Sequence, residues 1–213
     1  MATPIFIIGA GGFGREVLWL IREINAVEER FDVKGFIDDN AEMHGEMICG
    51  VPVVGGNDVL ANAGEVAVAI GIGIPAVKQK IIERLKGQSL QFPSLIAPDV
   101  KMSEYVAVGA GAVITSGCIL TTQISVGDFA IINLGCTIGH DVKIGTGATL
   151  SPGANVSGYV SIGDFADIGT NTTIIPGKSV GDHAIVGAGA VVIRDIPAKA
   201  TAVGNPAKVI KQG

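Results

Sequence analysis

Aromatic residues are scarce in this chain of 213 residues: Phe, Tyr and Trp together make up 5%, with a single Trp. A core without rings has to be filled by aliphatic side chains, and here 48% of residues are hydrophobic and 31 are Gly. That balance suits a repetitive β-structure packed by Val, Ile and Ala. Charged residues are only 16%, and the net charge is −5 with no basic block. Nucleic acid and anionic membrane are therefore poor partners. Three cysteines, Cys49, Cys118 and Cys136, make neither a disulfide framework nor a zinc spacing. No apolar run approaches the roughly 20 residues that a spanning helix needs, and Met1 to Gly9 has no charged region with a cleavage signature. The expectation is a soluble, cytoplasmic protein with no membrane span. Only three histidines are present, His44, His140 and His183, and their scatter leaves no converging set for a zinc ion. No metal is expected.

What is there is a single period. Aliphatic residues occupy Ile96, Met102, Val108, Ile114, Leu120, Val126, Ile132, Ile138, Ile144, Leu150, Val156, Ile162, Ile168, Ile174, Val180, Val186 and Val192, seventeen consecutive sixth positions without a slip. A six-residue period of this regularity is the signature of a β-helix. The fifth position of each hexad supports it: Ala112, Cys118, Ala130, Cys136, Val142, Ala148, Ala154, Val160, Ala166, Thr172, Ala184 and Ala190 are small or β-branched, as a narrow interior demands. Cys118 and Cys136 thus read as inward-facing core residues. Lys178 breaks the rule and marks a corner expected to bulge or to lie near a functional surface. Outward apolar residues such as Ile131, Leu134 and Phe165 need cover, which points weakly to self-association.

The first 90 residues follow a different plan. Ile5-Phe6-Ile7-Ile8 is a short run of buried-strand type. It enters Gly9-Ala10-Gly11-Gly12-Phe13-Gly14, which is G-x-G-x-x-G. A helix pattern follows with Val17, Leu18, Ile21 and Ile24 on one face, then a second strand, Val33 to Ile37, ending in Asp38-Asp39. Strand, glycine turn, helix, strand and acid is the context that a dinucleotide-binding glycine motif requires. The glycines let the backbone approach a phosphate at a helix N-terminus, and a terminal acid can accept hydrogen bonds from ribose. Three readings stay open: a nucleotide or nucleotide-sugar site, a tight turn that binds nothing, and a true NAD site. The last is weakened because residues 1–90 lack a second mononucleotide half. A short helix is expected near Asn57 to Ala61, then the strand Val66 to Ile70, a second glycine turn at Gly71 to Gly73, and a helix with Val77, Ile81, Ile82 and Leu85 on one face. Both glycine turns fall at the same carboxyl edge of the sheet, where open α/β folds bind ligands. Pro93 and Pro98 punctuate the passage into the repeats.

The array resembles the left-handed β-helix of the hexapeptide-repeat acyltransferases, and Gly204-Asn205-Pro206-Ala207-Lys208 is similar to the tail of that family. Together, Gly9 to Gly14, Asp38-Asp39 and the repeats resemble the NeuD/PglD-type group, which comprises sialic acid O-acetyltransferases and nucleotide-aminosugar N-acetyltransferases. The expected architecture is α/β plus all-β: a small Rossmann-like nucleotide-sugar domain over residues 1–90 and a left-handed parallel β-helix over 91–213. Three hexads per coil would stack residues 18 apart in a prism ~25–30 Å tall.

Within the array His140 is the anomaly, because an acid, Asp141, follows it. Acetyl transfer needs a base of near-neutral pKa, which histidine supplies, and a carboxylate can orient the ring. Its column at steps of 18 reads Glu104, Thr122, His140, Gly158 and Pro176, so a slot for a pantetheine arm could rise from the imidazole. The resemblance implies His140 as general base with Asp141 as its partner, the Gly158 amide as oxyanion donor, and acetyl-CoA as co-substrate along Thr149, Gly158, Thr170 and Ala188. It also implies Asn133 near the sugar amine and a homotrimer with acetyl-CoA between neighbouring prisms. Gly11, Gly12 and Phe13 would meet the acceptor's phosphates, Asp38 and Asp39 its ribose or base, and Gly71 and Gly73 would close the site. His183 reads as a surface or subunit contact and His44 as a loop residue. The expected reaction is N-acetylation of a nucleotide-linked aminosugar. O-acetylation of sialic acid is the alternative; a non-catalytic β-helix binding module and an NAD oxidoreductase are more distant.

Overall fold

The computed structural model of the chain describes residues 1–61 and 65–213. The N-terminal unit runs β1 (Thr3–Ile8), α1 (Gly12–Val27), β2 (Phe31–Ile37), a 3-10 turn (Ala41–Met43), β3 (Met47–Ile48), β4 (Val51–Gly55), α2 (Asp58–Ala61), β5 (Val66–Ile70), α3 (Pro75–Leu85) and β6 (Leu90–Gln91). Its sheet has the order β3-β4-β2-β1-β5-β6 and is parallel except for the β3–β4 hairpin. β1 and β5 are continuous apolar runs because helices or the prism cover both faces. In α1 the side chains of Val17, Leu18, Leu20, Ile21 and Ile24 are buried. The face of α3 differs in part from the expected one: Ile81 and Leu85 are buried as expected, but Val77 is 42% exposed and Pro75 and Lys78 are buried in its place. The β3–β4 hairpin went unread in the sequence, since Met47 is exposed and the strands are too short to show a period.

From Leu95 onward two-residue strands wind into a left-handed prism of three parallel sheets. The first face holds Leu95–Ile96, Val113–Ile114, Ile131–Ile132, Thr149–Leu150, Asp167–Ile168 and Ile185–Val186. It ends in Thr201–Val203 and the antiparallel Lys208–Lys211. The second holds Lys101–Met102, Ile119–Leu120, Thr137–Ile138, Asn155–Val156, Thr173–Ile174 and Val191–Val192, and the third runs from Val106–Val108 to Ser179–Val180. From Leu95 to Val192 the inter-coil pairings join residues 18 apart, for example Ile138 with Val156 and Ile144 with Ile162, and the closing coil shortens to 16, as in Ile185 with Thr201. The ladder is made of backbone bonds such as Gly139 N–H to the Val156 carbonyl at 2.7 Å. All twelve small fifth-position residues named above are fully buried. The sixth positions are buried from Ile114 to Val192, but the first coil is loose, with Met102 42% exposed. At Lys178 no bulge forms: its carbonyl accepts the Ser161 amide at 3.0 Å and the register is kept. Its long side chain leaves at the corner without disturbing the stack.

The N-terminal unit sits on the first face. Outward side chains there, Leu95, Val113 and Ile131, are buried in one cluster with Ile5, Val17, Leu20 and Ala69. Ile131 is therefore covered by its own chain and says nothing about self-association. Truncating the deep core residue Ile138 to Ala should cost about 2–5 kcal/mol, whereas Met102→Ala at the open first coil should cost less than about 1 kcal/mol. Urea unfolding midpoints of the two variants check the contrast.

Candidate active site

His140 stands where the second face turns into the third. Its carbonyl accepts the Tyr159 amide at 3.0 Å, and the Asp141 amide donates to the Thr122 carbonyl at 3.1 Å, so the corner is held in the ladder on both sides. Asp141 has φ +59°, in the left-handed region, a conformation that costs an L-residue about 1 kcal/mol. That twist brings the side chain of Asp141 to its neighbour: Oδ2 lies 2.9 Å from His140 Nδ1. The shorter arm of aspartate thus suffices. Both groups are about half exposed, and the other ring nitrogen, Nε2, has no protein partner among the described residues. The ring lies over Gly158, where a Cβ would come within 2.6 Å of His140 Cε1. Tyr159, which the sequence reading passed over, packs edge-to-face on the imidazole at 4.9 Å between centroids. The Gly158 amide makes no backbone bond among the described residues.

A second locus lies between the N-terminal unit and the first face. A cleft of about 380 Å³ is lined by Phe13, Glu16, Gly73, Ile74, Ile131, Asn133, Thr149, Ser151 and Asp167. Three expected acceptor-side residues, Phe13, Gly73 and Asn133, meet here. Asn133 Oδ1 is fixed by the Leu134 amide at 2.8 Å and the Thr115 hydroxyl at 3.2 Å, which leaves its NH₂ group to donate. Thr149 is 6% exposed, and its hydroxyl donates to the Gly73 carbonyl at 2.8 Å. It therefore belongs to the wall of this cleft and is bonded away from the His140 edge, contrary to its expected place on an acetyl-CoA track. Behind it Lys78 is buried, with Nζ 3.0 Å from Thr149 Oγ1. Burial pushes Lys78 down to about 7, partly opposed by Asp167, and burial in turn pushes Asp167 up despite Lys78. Glu16, Ser151, Asp167 and Lys78 had not been singled out in the sequence.

The glycine loops divide into two kinds. At Gly11, Gly12 and Gly73 an added Cβ would meet nothing within 4 Å, so their backbone is open to a ligand. Gly71 is different: it is buried, and a Cβ there would lie 2.6 Å from Gly14 Cα, so packing between the two loops explains it and it does not close a site. Asp38 is likewise occupied, its oxygens taking the Ala10 amide at 2.9 Å and the Asn40 amide at 3.0 Å. It props the first glycine loop and also lines the same pocket as Asp39. Asp39 is the more exposed acid. Burial raises it somewhat, but hydrogen bonds from Arg84 at 2.9 Å and Asn57 at 2.6 Å hold it below the usual carboxylate range. These three and Asp38 line a pocket of about 190 Å³ with Ile8, Ile37, Ile72, Val77 and Ile81 as apolar walls. His44 bonds the Asp38 carbonyl at 2.8 Å, and His183 stacks on Phe165 at 5.6 Å beside Ile74 and Pro75. Among the described residues no cluster of His, Cys, Asp or Glu could hold a metal ion, and no helix is long and apolar enough to cross a membrane.

The two loci do not meet within one chain. In a triangular prism the edge between the second and third faces lies opposite the first face, so His140 and the cleft are on opposite sides. The expected acetyl-CoA residues are also divided. Gly158 is on the His140 edge, whereas Thr170 and Ala188 stack on the edge between the first and second faces, linked by Gly189 N–H to the Thr170 carbonyl at 2.8 Å.

A hexad prism with a His–Asp pair on one edge and a glycine-looped α/β unit on the opposite face defines a hexapeptide-repeat acetyltransferase. The family model described as the PglD N-terminal domain matches residues 4–85. WeeI from Acinetobacter baumannii AYE is 34% identical, with TM-score 0.88 over 98% of this chain and 100% of that one. PerB from Caulobacter crescentus, solved with CoA and GDP-perosamine, is 32% identical, with TM-score 0.87 over 98% of this chain and 97% of that one. The acetyltransferase domain of PglB from Neisseria gonorrhoeae FA1090, solved with acetyl coenzyme A, is 27% identical, with TM-score 0.87 over 99% of this chain and 100% of that one. No curated protein matches the sequence. The chain belongs to the PglD-type family of hexapeptide-repeat acetyltransferases.

The buried Lys78 makes the fold sensitive to pH. Its folded value of about 7 lies below the ordinary 10.5, so between those values the unfolded chain binds the extra proton and stability rises with pH. Relative to Lys78→Met, the wild-type denaturation midpoint should climb from pH 7.5 to 9.5; parallel behaviour would show that Lys78 is not held neutral by burial.

Proposed function

We propose that the chain transfers the acetyl group of acetyl-CoA to the amino group of a nucleotide-linked aminosugar, with His140 as general base. The observation that carries this reading is the 2.9 Å bond between His140 Nδ1 and Asp141 over a residue without a side chain. A carboxylate at Nδ1 favours the tautomer with its proton there, so Nε2 is the basic nitrogen and faces outward. The acceptor amine attacks the thioester carbonyl carbon as a free base. As the C–N bond forms, Nε2 takes the proton that the nitrogen must shed. The tetrahedral oxygen is met by a backbone donor, for which the uncommitted Gly158 amide is the candidate. Collapse breaks the C–S bond, and the thiolate recovers the proton from His140, giving the amide and free CoA thiol.

The acceptor belongs in the cleft. The open backbones of Gly11, Gly12 and Gly73 suit its phosphates, the Asp39–Asn57–Arg84 pocket suits its nucleoside, and the Asn133 NH₂ suits a sugar oxygen or the amine lone pair. N-acetylation is favoured over O-acetylation because PerB, similar over nearly its whole length, was solved with GDP-perosamine, an aminosugar nucleotide. Two copies are needed to unite His140 with a cleft on the far side of its own prism. A homotrimer of parallel prisms does this: the His140 and Gly158 edge of one copy faces the Asn133, Thr170 and Ala188 edge of the next, with acetyl-CoA between them.

His140→Ala should lower kcat by about 10²- to 10³-fold and Asp141→Asn by about tenfold, read as free-thiol release with UDP-, GDP- and CMP-linked aminosugars and free sialic acid as acceptors. Unchanged turnover in His140→Ala removes it as the base, and turnover of sialic acid alone overturns the acceptor assignment.

A further inference from the structure

Acetyl transfer does not use the buried lysine behind the cleft. Lys78 is 1% exposed on the face of α3 turned to the prism. Asp167 is the charged group on the prism that acts on it, yet no ion pair with Lys78 forms among the described residues. An apolar side chain of similar length would fill that space without the cost of burying a polar head group. What only a donor provides are the bond to Thr149 at 3.0 Å and a longer one to the Ala148 carbonyl at 3.5 Å.

The polarity of the Thr149 bond is forced. The Gly73 carbonyl can only accept, so the single Thr149 hydroxyl proton lies on that 2.8 Å bond. Thr149 Oγ1 must then accept from Lys78 Nζ at 3.0 Å, which keeps N–H donors as amine or as ammonium. A trans peptide then turns the following Ile74 N–H the opposite way, away from the prism. We propose that Lys78 is a positioning residue of the acceptor cleft: by donating to Thr149 it commits that hydroxyl to the Gly73 carbonyl and anchors the Gly71–Ile74 loop, the N-terminal wall of the cleft, to the first face of the prism. Gly73 has open space around it and no side chain of its own to pack, so this relay is its tether. The proposal rests on reading the cleft as the acceptor site but not on which acceptor atom is acetylated.

Lys78→Met, Thr149→Val and Thr149→Ser separate anchoring from general stability, with hydrogen exchange of the Gly71, Val77 and residue-78 amides, which bond the Ile8 and Ile74 carbonyls at either end of the loop, as a readout that needs no substrate. Lys78→Met and Thr149→Val should exchange there about tenfold faster, while Thr149→Ser, which keeps the hydroxyl, stays near wild type. In turnover, the first two should raise the acceptor KM by about tenfold, the worth of one lost hydrogen bond, with kcat and the acetyl-CoA KM within about threefold of wild type. Unchanged loop exchange in both Lys78→Met and Thr149→Val overturns the proposal, as does an equal loss in Thr149→Ser, which would mark a merely structural site. Normal anchoring with no turnover of any aminosugar nucleotide by wild type contradicts the acetyl-transfer reading and leaves the anchoring intact.

Discussion

Everything in the second half of this chain depends on the inter-coil ladder, in which strand amides meet carbonyls of the next coil at a register of 18 residues from Leu95 to Val192. That ladder tolerates no slip, because one residue out of phase would turn the aliphatic set from the core to the surface. It asks for an aliphatic residue at the sixth positions and a small or β-branched one at nearly every fifth, Lys178 excepted, and it leaves outward and corner positions free for chemistry. His140 and Asp141 occupy one corner, held by bonds to Thr122 and Tyr159 in the coils on either side. The same ladder lets Asp141 take a left-handed conformation that an isolated chain would resist, and this brings its carboxylate to the imidazole.

The constraint also explains what could be read in advance. The period was visible because the prism interior admits so few residue types, and His140 was visible as a break in a monotonous pattern. The reach of Asp141 was not, because in an extended strand adjacent side chains diverge and only the corner conformation reverses that. Tyr159 was missed although it stands 18 residues after Asp141; the neighbouring column held the signal. Lys78 was missed because Val77, Ile81, Ile82 and Leu85 make a plausible apolar face, and nothing local says that a lysine replaces valine on it. The burial of Ile131 was hidden too, since a repeat cannot show which of its faces its own N-terminal unit will cover.

The glycine motif held a similar mixture. Its strand, turn, helix and strand are all present, and Gly11 and Gly12 are open. Asp38, read as a ligand contact, bonds the loop's own backbone, and Gly71 is small because Gly14 lies against it. Packing and binding make the same demand for glycine and for an acid at a strand end, so only coordinates separate them. Of the two acids that line the pocket, Asp39 carries Arg84 from α3, a partner 45 residues away that no local pattern announces.

One chain presents His140 on one edge and the proposed acceptor cleft on the opposite side, so the central claim is that the working site is shared between copies. Co-purified mixed oligomers of His140→Ala and a cleft-blocked Ser151→Trp chain test it, each variant being inactive alone. In a random equal mixture of trimers about a quarter of the interfaces would pair an intact His140 with an intact cleft, so the account predicts about a quarter of wild-type turnover. No activity above that of either variant alone would contradict it.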